Sequence, residues 1–229
     1  MKKWLALAAT AVLGASLLIS GCGSSTNNAS SSGSKEVLKI AANPVPHAEI
    51  LEQVKPILAK EGVDLQIVEF TDYIQPNMAL SSHEVDANFF ANVPYQNNYN
   101  KDHGTNFVSF APVHIEPLAI YSQKIKDLKD LPNGAKVAIP SDPTNSARAL
   151  LLLQSAGLVT LKDPTGLTNT PFDVTSNPKN IQIVELEAAQ IPRSIQDLDA
   201  AVINANYALP AGLNPTKDGL FVEKADSPY

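Results

Sequence analysis

The sequence predicts an α/β protein of two lobes with a ligand cleft between them. Short β-rich runs alternate with stretches of helical apolar spacing, which is the pattern of strands feeding helices. The alternation comes in two batches, separated by an extended segment near Pro112–Ser122. Several strand ends run into asparagines, aspartates and aromatic residues. Ligands of such sheets sit beyond the carboxyl ends of the strands, here the space between the lobes.

The N-terminal residues form a separate segment. Lys2 and Lys3 give a positive start, Trp4 to Ile19 an apolar run, and Ser20-Gly21 lead into Cys22, the one cysteine of the chain. This is the layout of a secretory signal peptide, and its run is short for a bilayer span of about 20 residues. A cysteine directly after the small residues resembles a bacterial lipobox, with Cys22 lipidated and becoming the new N-terminus. The alternative is an ordinary signal peptide with a cysteine nearby. Residues 23–35, Gly-Ser-Ser-Thr-Asn-Asn-Ala-Ser-Ser-Ser-Gly-Ser-Lys, have almost nothing to bury and read as a flexible leash. Such a leash reaches about 20 Å.

The first lobe is assigned to residues 36–116. Val37–Ala42 reads as a strand and Asn43-Pro44-Val45-Pro46 as a rigid turn. Ile50, Leu51, Val54, Ile57 and Leu58 follow at helical spacing, with Pro56 expected to kink or break that helix. Val63–Phe70 is a second strand, Tyr73–Ser81 a short helix, and Asp86–Phe90 a third strand. A polar helix then runs to about Asp102, and Phe107–Val113 reads as extended.

The second lobe is assigned to residues 117–226. It opens with an extended Pro117–Ser122, then Lys136–Ile139 as a strand. Ala147–Ala156 is a helix apolar on nearly every face, so it is expected to be buried on both sides, with Gly157 as its stop. Lys162–Lys179 is rich in Pro, Thr and Asn and reads as an irregular loop. Ile181–Leu186, Ala200–Ala205 and Leu220–Val222 read as extended, and Ala188–Leu198, with Pro192 inside, as helical. Residues 227–229 are expected to begin a return to the first lobe whose remainder is absent, so that the sequence is a fragment.

Composition excludes several functions. Removal of Lys2 and Lys3 leaves 15 of the 17 basic side chains against 23 acidic ones, a balance that repels phosphate backbones and argues against nucleic acid. With Cys22 lipidated, no cysteine remains for a disulfide or a thiolate metal site. Signatures of hydrolases, phosphate-binding loops and dinucleotide folds are absent, and His83-Glu84 lacks the second histidine of a zinc-protease motif. An enzyme is therefore not expected, and no cofactor. His47, His83, His103 and His114 are dispersed. A metal site would have to assemble in three dimensions from His47, His114 and Glu116; the ordinary reading of each is a lone surface or core histidine.

Three junctions carry the candidate binding residues. Arg148, one of two arginines, lies in Ser141-Asp142-Pro143-Thr144-Asn145-Ser146-Ala147-Arg148, where the buried helix is expected to start. A cation in a first helical turn opposes the dipole, which makes sense if an anion sits between the guanidinium fork and the helix end. The alternative is a surface arginine paired with an Asp or Glu. In Asp86-Ala87-Asn88-Phe89-Phe90-Ala91-Asn92-Val93-Pro94-Tyr95, period-2 alternation lets one phenylalanine pack in the core while the other lines a cleft with Tyr95. Tyr73 occupies a comparable junction. In Val202-Ile203-Asn204-Ala205-Asn206-Tyr207 a strand runs out into amides that can accept from an ammonium and donate to a carboxylate. The bland reading of these amides is a turn or cap.

From Lys39 to Tyr229 the chain resembles the MetQ/NlpA family of lipoproteins, substrate-binding subunits of methionine-type ABC importers. Thr71-Asp72-Tyr73-Ile74-Gln75-Pro76-Asn77, Val85-Asp86-Ala87-Asn88-Phe89-Phe90, Pro140 to Asn145 with Ala147 to Leu153, and Ala201-Val202-Ile203-Asn204 carry the resemblance. It implies a two-lobed periplasmic-binding-protein fold that closes on one amino acid, usually methionine, and hands it to an ABC permease at the membrane. Carried over by position, it implies that Arg148 clamps the ligand carboxylate with Asn145 beside it. Asn204 would hold the α-amino or carboxylate group, and Tyr73, Phe90 and Tyr95 would form a slot for the thioether. The chain departs at Ala91-Asn92, where family members commonly carry Gln-His, so Asn92 changes the donor pattern near the slot. Other readings are a different amino acid or a Gly-Met dipeptide as ligand, a surface adhesin or structural lipoprotein with a vestigial cleft, and a metal-capturing lipoprotein.

Overall fold

The computed structural model describes residues 36–229. The signal-peptide, Cys22 and leash expectations lie outside these residues. Among the described residues, no helix is long and apolar enough to cross a membrane.

The first part of the chain builds a parallel three-stranded sheet. Its strands are β1 (Glu36–Ala42), β2 (Val63–Glu69) and β3 (Ala87–Phe89), in the order β2-β1-β3. Connecting helices α1 (Glu49–Lys60) and α2 (Gln75–Ser81) supply the crossovers that parallel pairing requires. Alternation along β1 sorts its faces. Leu38, Ile40 and Ala42 pack with Leu51 and Leu58 of α1, while Ala41 points to the opposite side against Ala79 and Leu80 of α2. Pro56 does not break α1, which runs unbroken from Glu49 to Lys60. Pro56 and Glu52 are both exposed, so the carbonyl deprived of its partner faces water. Helix α3 (Val93–His103) follows β3 and ends at Gly104, whose φ of 66° is left-handed.

The segment after α3, read as extended, lies outside the sheets. Phe107–Val113 joins no strand, and Val108 and Phe110 are 82% and 86% exposed. Without a neighbouring strand to pair with, β-propensity alone does not make a sheet.

The second part builds a mixed five-stranded sheet. Its strands are β4 (Ala119–Tyr121), β5 (Lys136–Pro140), β8 (Gln182–Leu186), β9 (Ala200–Ile203) and β10 (Phe221–Val222), in the order β10-β4-β9-β5-β8. The pairs of β5 with β8 and β9 are parallel, and those of β4 with β9 and β10 antiparallel. Both faces are covered. Leu118, Ile120, Val137, Ile139, Ala200 and Val202 meet Ala149, Leu150, Leu152 and Leu153 of α4 (Pro143–Ser155). Ala119, Tyr121, Ala138, Ala201 and Ile203 face the other way, against Ile191 and Ile195. Strands β4 and β9, and β5 after its exposed first residue Lys136, are therefore apolar throughout, as burial on both faces demands.

Helix α4 begins four residues earlier than the apolar run suggested. Asp142 caps it by accepting from the Asn145 N–H at 2.9 Å, and Pro143 takes the first helical position. Arg148 therefore lies one turn into the helix, not at its beginning. Gly157 closes the helix with φ 75°, as its position predicted.

Two other segments are corrected. The expected loop at residues 162–179 contains a strand, β7 (Val174–Ser176), which pairs antiparallel with β6 (Thr160–Leu161). The expected helix at 188–198 is a chain of short turns around α5 (Ile191–Ser194), with Pro192 in its first turn. Two short helices escaped the periodicity argument altogether: α6 (Ala205–Ala208) and α7 (Pro215–Asp218). Four residues are too few to show a helical repeat.

Candidate binding cleft

The carboxyl ends of β1, β2 and β3 face those of β5 and β9 around one cavity of about 730 Å³. Tyr73, Phe90, Asn92, Tyr95, Asn145, Arg148 and Asn204 all line it. A cavity of this size falls in the range of small-molecule sites.

One wall is aromatic. Tyr73 stacks on Phe90 at 5.8 Å between centroids and meets Tyr95 edge-on at 5.9 Å; Phe90 and Tyr95 are 5.7 Å apart. These are favourable offset and edge-to-face distances. Phe89 packs against the core beneath α1 and also borders the cavity. The loop that carries Tyr73 is pinned by Asn43, whose amide donates to the carbonyls of Phe70 and Asp72 at 2.7 and 3.1 Å. Tyr95 Oη donates to the Tyr73 carbonyl at 2.8 Å, which fixes the two rings relative to each other. Asn92 caps α3, accepting from the Tyr95 N–H at 2.8 Å. Its side-chain oxygen is thus committed to the helix, and its amide N–H₂ is the part left for other contacts.

The facing wall is polar. Asn145 donates to both carboxylate oxygens of Asp142 and accepts from Asn204 Nδ2 at 2.8 Å. This network orients both amides. Asn204 Oδ1 is buried and has no hydrogen-bond partner among the described residues, a cost unless something in the cleft supplies a donor. Burial pushes the Asp142 carboxyl above its ordinary pKa, against the opposing effect of the Asn145 hydrogen bonds.

Arg148 is buried, with 6% exposure. Its Nε donates to Glu223 at 2.9 and 3.1 Å, and its Nη2 to Glu223 Oε2 at 2.5 Å and to the Glu116 carbonyl at 2.7 Å. Among the described residues Nη1 has no protein acceptor. Both readings of the sequence are thus modified. The arginine is paired with a glutamate, as the bland reading had it, but in the interior and on the wall of the cavity. Burial works against the charged Glu223, yet the Arg148 hydrogen bonds and charge, with the Leu118 N–H and Ser227, outweigh it and hold the carboxyl below its ordinary pKa.

Sequence reasoning missed several participants. Asn206 accepts from Tyr73 Oη at 2.5 Å, and Tyr207 packs on the Tyr73 ring at 5.0 Å. Burial above all, then the charges of Tyr207, Glu116 and Asp142, push the Tyr73 phenol well above its ordinary pKa, so it stays a neutral donor. Asn206 and Tyr207 stood beside Asn204 in the same strand-end motif, which was the signal available. Glu223 carried none, because its partner lies 75 residues away.

His47, His114 and Glu116, dispersed in sequence, also meet on this cavity. His47 Nε2 and His114 Nε2 lie 3.0 and 2.6 Å from Glu116 Oε1. Burial opposes the charged form of Glu116, but the two histidines, His47 first, hold its carboxyl below the ordinary value.

Comparison with known proteins agrees with this architecture. The description NlpA lipoprotein matches residues 38–229. The D-methionine-binding lipoprotein MetQ of Salmonella typhimurium strain LT2 is 45% identical over 231 residues, covering 99% of this chain and 83% of that protein. Its namesake in Escherichia coli K12 is 43% identical over 230 residues, with the same coverage of 99% and 83%. A nutrient binding protein from Burkholderia cenocepacia, solved bound to methionine, superposes with a TM-score of 0.81 at 47% identity, covering 84% of this chain and 81% of that one. An ABC transporter periplasmic substrate-binding protein from Coxiella burnetii gives 0.80 at 44% identity, with coverage of 84% and 81%. With these solved structures the chain shares a two-lobed periplasmic-binding-protein fold, and it belongs to the NlpA lipoprotein family.

Proposed function

We propose that this protein is an extracytoplasmic substrate-binding lipoprotein, not an enzyme, which captures a free amino acid, methionine, and delivers it to an ABC importer. The observation that carries the reading is the pairing of two unlike walls in one cavity: the Tyr73, Phe90 and Tyr95 rings opposite Asn145, Arg148 and Asn204. A zwitterion with an apolar sulfur-containing tail matches both. Thioether sulfur gains about 0.3–1.5 kcal/mol per aromatic contact, while the polar wall meets the charged end. Arg148 Nη1 is the donor assigned to the ligand carboxylate, and Asn204 Oδ1 the acceptor assigned to the ammonium. The methionine-binding names of its relatives support the same ligand.

Anchoring through a lipid on Cys22 belongs to this proposal, with residues 23–35 as the tether that lets the body reach a permease and leave again. Stable anchoring of this kind takes more than one acyl chain.

Thermal unfolding with a panel of amino acids tests the assignment. Methionine at a hundredfold excess over its dissociation constant stabilises a receptor by about 2.7 kcal/mol. No stabilisation by methionine, with a response to another amino acid or to Gly-Met, replaces the ligand; no response to any of them removes the receptor reading.

A further inference from the structure

We propose that His47, His114 and Glu116 form a binding site for a late first-row divalent cation, zinc foremost, on the wall of the cleft. One ring nitrogen from each histidine and one carboxylate oxygen lie within 4.8 Å of one another. They come from two separate stretches of chain: His47 from the turn after β1, and His114 with Glu116 from the irregular segment before β4.

Two imidazoles and one carboxylate are the donor set of open zinc sites, in which a further position is left to water or an exogenous ligand. That set is too nitrogen-rich for magnesium or calcium, which take oxygen ligands. In the arrangement described, both Nε2 atoms converge on a single oxygen, Glu116 Oε1, at 3.0 and 2.6 Å. One carboxylate oxygen therefore serves two imidazole N–H groups. A cation takes the place of those two protons, which pass to solvent, or to the Nδ1 atoms as the tautomer changes. With metal–ligand bonds of about 2.0–2.1 Å, tetrahedral donors stand roughly 3.3 Å apart. The two nitrogen–oxygen separations thus need to open only from 3.0 and 2.6 Å toward that value, and His114 sits on an exposed coil that can give.

The surroundings hold the donors in place. The edge of Phe89 meets His47 at 4.8 Å and His114 at 5.4 Å, both near perpendicular, so one core-packed ring orients both imidazoles. The side chains of His47, His114 and Glu116 are 3, 24 and 20% exposed, buried on one side and reachable on the other. The site adjoins the amino-acid cleft but does not use the residues assigned to methionine.

The test uses the full chain in detergent, without a histidine tag, titrated with ZnCl₂ against a competing chromophoric chelator and, separately, with CoCl₂ read by its visible absorption. Wild type is expected to take one Zn²⁺ per chain, and Co²⁺ to show the absorption of a four- or five-coordinate nitrogen/oxygen site. His114→Ala and Glu116→Gln are each expected to weaken the metal by at least about tenfold, since loss of even an outer partner costs 10–100-fold. His103→Ala, on an exposed histidine outside the cluster, should leave it unchanged. Zinc retained equally by His114→Ala and Glu116→Gln, lost equally in His103→Ala, or not bound by wild type overturns the proposal. Methionine calorimetry on the same metal-free samples reports separately on the receptor reading.

Discussion

Arg148 and Glu223 form a buried, doubly bonded ion pair that ties the middle of α4 to the strand pair at the sheet edge. Breaking such a pair from one side leaves an uncompensated interior charge, at a cost of about 3–5 kcal/mol. Arg148→Ala is expected to lose stability by that amount in urea unfolding, and also to weaken methionine by about 2–5 kcal/mol through loss of the carboxylate partner. Glu223→Gln separates the two effects: it should lower stability while keeping the guanidinium in the cleft. Wild-type methionine affinity in a folded Arg148→Ala protein would remove Arg148 from the site.

The same pair sets a pH dependence. Glu223 and Glu116 both have pKa values below the ordinary glutamate value in the folded state. The unfolded chain therefore binds protons at higher pH than the folded one, and stability rises with pH across that interval. Their contribution is complete above the unfolded value of about 4.3 and disappears as pH falls through the depressed folded values. Urea midpoints measured downward from pH 6 should fall more steeply for wild type than for Glu223→Gln; parallel curves would contradict the linkage.

Among the described residues, Tyr73 Oη is the sole hydrogen-bond partner of Asn206 Oδ1. Tyr73→Phe keeps the ring against Phe90 and Tyr95 but strands a buried acceptor, which costs about 1–3 kcal/mol. Thermal unfolding should show that loss. Methionine affinity should fall less than in Phe90→Ala, which removes a ring of the slot itself.

Leu150 is fully buried between α4 and the central strands. Leu150→Ala should destabilise by about 2–5 kcal/mol, the cost of lost burial plus a cavity, without altering the ligand preferred. Calorimetry at a temperature where the variant remains folded checks the second half of that statement.

Much of the cleft was legible from local chemistry. Each strand-end motif announced itself by a break in apolar alternation followed by residues that cap or turn, as in Asp142-Pro143 and Asn92-Val93-Pro94. Pairings across the chain were not. Glu223 looks like any surface acid in sequence, and His47 and His114 stand 67 positions apart by their numbering. Pro56 misled for a related reason: its penalty depends on whether the freed carbonyl meets water, which exposure decides and sequence does not show.

Period and composition by themselves determined the α/β alternation, the double burial of α4 and the residues at the strand ends, because these follow from which side chains a backbone repeat of two or 3.6 places on one face. Only the tertiary structure decided what those ends meet. Contacts such as Arg148 with Glu223, Tyr73 with Asn206 and His47 with Glu116 arise when separate stretches fold together, and no local repeat encodes which partner will arrive.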